Sequence, residues 1–152
     1  MFYGDPRQAV DWDIGDEVKK LRHQRQPSRT SCGPTCVAML ADVPVARVLA
    51  LVPTVRLTPS RQRRKDDRTN VGEMRRLLAA HGLEMGGRNP GIARSLRPAL
   101  LRIPHWRGAN WHYAVSCTGW LFDPAKKRVV ELRPSLLPDD VAHYEIRSAA
   151  AQ

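Results

Sequence analysis

Gln26, Cys32, His112 and Asp123 are the residues of this chain whose types and order suit acyl chemistry. Gln26 stands six residues before Cys32, in the stretch Gln-Pro-Ser-Arg-Thr-Ser-Cys-Gly-Pro-Thr-Cys-Val-Ala-Met-Leu, residues 26–40. A cysteine followed by Gly-Pro-Thr and then by apolar residues reads as a thiol at the first turn of a buried helix. Pro34 suits that turn, where its missing N–H costs nothing. A thiol so placed meets the positive end of the helix dipole and the open first-turn amides, which favour the nucleophilic thiolate. A glutamine carboxamide upstream offers the N–H donor that an oxyanion hole needs. Gln24 competes for that role from the same face of an extended strand, and spacing alone favours Gln26.

A nucleophile needs a base, and the base needs an orienter. Residues 111–116 and 120–123 read as the two strands of a hairpin turning near Cys117-Thr118-Gly119. A turn symmetric about Cys117-Thr118 sets His112 directly opposite Asp123, with Cβ atoms about 5 Å apart on one face. That would hold the imidazole against the carboxylate. A slip of one residue would move the two to opposite faces.

The pattern Gln-x5-Cys-Gly-Pro-Thr-Cys-x-Ala-Met-Leu, followed about eighty residues later by His-Tyr-Ala-Val and then Asp-Pro, resembles the papain-like cysteine peptidases. Among these bacterial and other enzymes it is most similar to the double-glycine leader peptidase branch. The resemblance covers residues 26–41 and 111–124. It implies Cys32 as nucleophile, His112 as general base, Asp123 as its orienter and Gln26 as oxyanion donor. It also implies an α+β fold, with a helical half carrying the cysteine packed on an antiparallel sheet carrying the histidine. The interval from His112 to Asp123 is shorter than in the leader peptidases, which implies a tighter hairpin, and no exporter membrane domain is expected. The substrate class of that branch is therefore not carried over.

Each residue also has a plainer reading. Cys36, among Val37, Ala38 and Leu40, reads as a small buried core group. Cys117 reads as a turn or strand residue, His105 as a surface histidine at a loop start, and Asp123 before Pro124 as a turn former. Cys32 and Cys36 with His105 and His112 could supply zinc ligands. That spacing is not a common zinc pattern, however, and it leaves Gln26, Gly33 and Asp123 unexplained. No metal or other cofactor is expected.

The 152 residues suit one domain, read as an N-terminal arm over 1–25 and a catalytic domain over 26–148. Three cysteines, an odd count, make no disulfide framework and point to a reducing compartment. The N-terminus lacks a basic region followed by an apolar core, so no secretory signal is read. Asp42, Pro44 and Arg47 break the longest apolar stretch, so no membrane insertion is expected. Cytoplasmic residence as a monomer follows, or delivery as an effector without a signal peptide. The net charge of +10 favours acidic partners. Much of it lies in Arg56–Arg68, a polar segment expected to form an exposed, mobile capture loop. No aromatics interleave with it, which weakens a single-stranded nucleic-acid reading.

The remaining pattern predicts a helix over Asp16–Arg22 and others over 31–41 and 43–52. A capping box (Asn70 with Glu73) predicts a further helix, stopped by Gly82. Short strands are predicted near 83–86, 99–103, 129–132 and 144–147, with a helical turn or two over 91–97. The function expected is a thiol hydrolase that cleaves an amide or peptide bond in a protein or peptide substrate. The alternatives are a catalytically silent basic binding module on the same scaffold, and a glutamine deamidase or acyltransferase using the same triad. Trp106, Trp111 and Trp120 are expected along the substrate groove.

Overall fold

A helix that is apolar on every side needs neighbours on every side. Helix α1 (Cys32–Ala41) is such an element, with Gly33 through Ala41 all buried. In the computed structural model, which describes residues 9–13, 18–93, 97–104 and 111–149, α1 packs against α2 (Val45–Leu51), α4 (Val71–Ala79), strand β2 (Val18–Arg22) and strand β6 (Trp111–Cys117). Asp42 ends α1 in the left-handed region (φ 56°, ψ 50°) and returns its N–H to Ala38 and Met39. Pro44 then occupies the capping position of α2 with extended backbone, one residue outside the helix rather than in its first turn. A 3-10 turn follows over Val52–Val55, and then a short helix, α3 (Pro59–Gln62). Ahead of α4 the expected capping box forms: Glu73 N donates to Asn70 Oδ1 at 2.8 Å, and Asn70 N donates to Glu73 Oε1 at 2.9 Å.

The chain is α+β. Seven strands form an antiparallel sheet in the order β3 (Leu83–Met85), β9 (Ala142–Ser148), β5 (Ala99–Pro104), β6, β7 (Trp120–Phe122), β8 (Val130–Glu131), with β4 (Asn89–Pro90) also paired to β9. One core, which includes Leu40, Met74, Leu77, Leu100, Tyr113, Val115 and Ile146, joins the helices to the sheet. A smaller one gathers Leu101, Ile103, Ala114, Leu121 and Val141. Tyr113 and Ala114 fall in different cores, as the period-two alternation of a strand requires. No helical turn begins over 91–93, and 94–96 lie outside the described residues. No single helix among the described residues is long and apolar enough to cross a membrane.

Two expectations fail. The helix predicted over Asp16–Arg22 is instead strand β2, paired antiparallel with β1 (Ala9–Asp13), while residues 14–17 are not described. Val10 faces Leu21 across this ribbon, and Trp12 and Leu21 are buried in the main core. Burial of these two side chains beside α1 outweighs the weak helix propensity of a Val-Lys-Lys-Leu-Arg run.

The basic segment 56–68 is the second failure. Most of it is exposed, as expected, but it is not a loose loop: it is folded on its own arginines. Arg56 is 3% exposed and donates to the carbonyls of Arg64 (3.1 Å), Asp66 (2.8 Å) and Arg68 (2.8 Å). Arg61 forks onto Glu73, Nε to Oε2 at 3.0 Å and Nη2 to Oε1 at 2.5 Å. Arg64 forks onto Asp66 at 3.0 and 2.9 Å. A guanidinium has five donors in a fixed plane, so one buried arginine can replace the apolar core that such a polar segment lacks.

Candidate active site

The site begins where the chain enters α1. Ser31 precedes the helix but does not cap it. Its hydroxyl turns back to donate to Ser28 O and accept from Ser28 N, both at 3.0 Å. The first-turn amides, Cys32 among them, thus have no side-chain cap. Gly33 explains how this turn approaches the sheet so closely. A Cβ there would collide with Thr69 Oγ1 and lie 2.9 Å from Met74 Sδ and 3.3 Å from a Tyr113 ring carbon. The absence of a side chain lets α1 lie against Thr69 and against Tyr113, the neighbour of His112 on β6.

The hairpin that carries the histidine has a different register from the one expected. Cys117 pairs with Trp120, Ser116 with Leu121 and Val115 with Phe122. Thr118 and Gly119 form the turn, both at positive φ (50° and 86°), as the common two-residue hairpin turn demands. His112 and Asp123 are therefore not directly opposed but diagonal. The shift is of two residues, a full pleat period, so it leaves both on the same face. His112 Nε2 lies 2.8 Å from Asp123 Oδ1, and both side chains are buried. Oδ1 also accepts from Ala125 N at 2.9 Å. The Asp123 carbonyl is fixed by His23 Nε2 (2.9 Å) and Lys126 N (3.0 Å).

The Cys32 side chain lies close enough to the same imidazole to favour its charged form. With Nε2 given to Asp123, Nδ1 is the ring nitrogen left for the thiol. Burial draws the His112 pKa down, but the bond to Asp123 and the nearness of Cys32 outweigh it and push it up to about 9. Burial would raise Asp123, yet the His112 bond and charge, with the Ala125 amide, hold it below the usual carboxylate range. Cys36, fully buried, is pushed well up by burial and then by the nearby Cys32 and Asp123 charges. Burial lifts Cys117 to about 11. These two thiols keep their protons at neutral pH.

The structure separates the two glutamines. Gln24 is buried, and its Nε2 donates to Val43 O at 2.7 Å. Val43 follows the end of α1 remote from Cys32, about 14 Å along the helix at 1.5 Å per residue. Gln26 instead donates its main-chain N–H to Pro124 O at 2.8 Å, beside Asp123. Its Nε2 donates to Ser28 O at 2.8 Å, which leaves the second N–H of that amide uncommitted by this bond.

Two residues not singled out by the sequence complete the frame. His23 ties the N-terminal segment to Asp123, as described. The buried Thr69 accepts at its carbonyl from Trp111 Nε1 and Tyr113 OH, both at 3.2 Å, so it grips the residues on either side of His112. Main-chain carbonyls leave no mark in a sequence, and an unpatterned histidine leaves little. Of the three expected groove tryptophans, Trp111 is at the site. Trp120 is 43% exposed beside the hairpin turn. It pairs with Cys117, five residues along β6 from His112, roughly 17 Å at strand rise. Trp106 and His105 lie outside the described residues. Among the described residues no group of three or more His, Cys, Asp or Glu is arranged to hold a metal ion. Compared with known proteins, the chain matches no family model and no curated protein.

Proposed function

We propose that this chain is a papain-like thiol hydrolase that cleaves an amide or peptide bond. One observation carries the reading: a single buried imidazole bonded to Asp123 through Nε2, with Cys32, at the open first turn of α1, near enough to act on the same ring. In the proposed reaction Cys32 gives its proton to His112 and the thiolate attacks the carbonyl carbon; collapse of the adduct then breaks the C–N bond and leaves the acyl group on sulfur. The developing oxyanion is met by the backbone N–H of Cys32, which has no intrahelical partner at the first helical position, and by the second N–H of Gln26. His112, held as an imidazolium, passes its proton to the leaving amine. Water, deprotonated by the same ring, then releases the acyl group from sulfur. Asp123 fixes the ring orientation and balances its charge. Deamidation and acyl transfer would use the same groups with a different acceptor or substrate.

The test is labelling with an electrophilic thiol probe at pH 6, followed by mapping of the modified cysteine. Cys32 alone is expected to react fast, because Cys36 and Cys117 are buried and protonated. Equal labelling of either would remove the basis for naming Cys32. Cys32→Ala and His112→Ala should each abolish turnover with the fold intact, and an active Cys32→Ala protein would end the reading.

A further inference from the structure

We infer that the substrate carries acidic side chains close to the bond presented to Cys32, an inference that rests on the hydrolase reading above. Part of the charge of the 56–68 segment is internal, since Arg56, Arg61 and Arg64 are spent on carbonyls, Glu73 and Asp66, while Arg63 and Lys65 stay exposed. Further positive charge borders the site. The turn that leads into Cys32 is tied to the end of that segment. Asp67 N donates to Thr30 Oγ1 at 3.2 Å, and Ser28 Oγ donates to Asp67 Oδ2 at 3.4 Å. Arg29 and Arg68, both exposed, are thereby carried on adjoining backbones one step from these bonds. Arg68 has only a 4.0 Å approach to Asp66, a carboxylate already forked by Arg64.

On the Asp123 side, the bond from Gln26 N to Pro124 O joins the backbone next to the exposed Arg25 to the turn that carries Lys126, whose charge is felt at Asp123. Arg102 stands 5.4 Å over the Trp111 ring. Arg25 and Arg29 have no ion-pair partner among the described residues. Of the acids on the bordering segments, Asp66 answers Arg64 and Asp123 answers His112, which leaves Asp67 alone to offset the rim. A predominantly positive rim around a reacting thiol concentrates anions and repels cations, over about 8 Å at physiological salt. The chemistry at its centre attacks a carbonyl, so a peptide bearing Asp or Glu fits both features.

Two measurements on the full chain test this. The first compares alkylation of Cys32 by iodoacetate, an anion, with that by neutral iodoacetamide. Replacing Arg29→Gln and Arg68→Gln should lower the iodoacetate-to-iodoacetamide rate ratio about threefold or more at low salt, and added salt should shrink the difference. An unchanged ratio overturns the inference whatever the enzyme does. The second digests a proteome-derived peptide library and reads cleavage sites by mass spectrometry against a Cys32→Ala control. Enrichment of Asp and Glu around the cleaved bonds, lost in Arg29→Glu with Arg68→Glu, supports it. Cleavage without acidic enrichment overturns it and leaves the hydrolase standing. Absence of cleavage above the control overturns the hydrolase reading and this inference with it. Tighter binding of a single-stranded RNA than of a polyglutamate peptide of equal charge by the Cys32→Ala protein would assign the rim to nucleic acid instead.

Discussion

At the scale of single residues, the imidazole of His112 is the hinge of the proposed chemistry, and the bond to Asp123 bears on its state. The 2.8 Å bond from Nε2 is one of the forces that lift the ring to about 9 against its burial. Asp123→Asn keeps an oxygen that can accept the ring N–H but loses the charge that favours imidazolium. Turnover in this variant should fall about ten- to a thousandfold, less than the ~10⁴ loss of the serine-enzyme aspartate. The His112 titration, followed by NMR of the ring carbon-bound protons, should move down from about 9 towards the ordinary histidine value. A ring that titrates unchanged in Asp123→Asn would show that the carboxylate does not control it.

Elements bring these residues together, and two contacts decide whether they meet. One is the approach of the first turn of α1 to Thr69 and Tyr113, which Gly33 permits. Gly33→Ala should cost about 1–3 kcal/mol through overpacking. It should also reduce Cys32 reactivity, because the helix must back away from β6. Adding Thr69→Ala removes the hydroxyl oxygen that the new methyl strikes, and so should recover part of the loss. Strict additivity of the two changes in urea unfolding would contradict the contact. The other is the Arg56 staple, which organises the segment that ends at Thr69. Arg56→Leu strips donors from three carbonyls and should destabilise the chain by about 3 kcal/mol. Trypsin should then nick within 57–68 faster than it does in the wild type. Equal resistance in both would mean that the segment does not depend on Arg56.

For the whole molecule, the raised His112 makes stability depend on pH in a definite direction. A folded-state pKa of about 9 against roughly 6.5 unfolded means that folding takes up a proton between these values. The stabilisation is fully present below roughly 6.5 and is lost as pH rises through about 9. Asp123 acts in the opposite sense. Its pKa is depressed on folding, so its contribution is present above roughly 3.9 and is lost as pH falls through the folded value. The urea midpoint should therefore hold a plateau between these limits and decline at both ends. Comparison with Asp123→Asn isolates the effect from the general loss of positive charge, because the variant should lose the alkaline decline attributable to His112. Parallel curves for the two proteins above pH 7 would refute the linkage.

The sequence by itself determined what depends on neighbours along the chain. Cys-Gly-Pro-Thr before an apolar run set the start of α1 at Cys32, and Asn70 with Glu73 marked the start of α4, because caps and first turns are local events. The shared face of His112 and Asp123 was also legible, since strand parity survives a two-residue error in the turn. The register itself was not. It was fixed by Thr118 and Gly119 at positive φ, and little in Cys-Thr-Gly-Trp announces which pair will form the turn. The tertiary structure alone decided that residues 18–22 are a strand, because Leu21 and Trp12 are buried beside α1. It alone turned Arg56 inward, sent the amide of Gln24 to Val43 and left Gln26 beside Pro124. In each of these cases the deciding partner lies far away in sequence, and a long-range contact leaves no period or spacing to read.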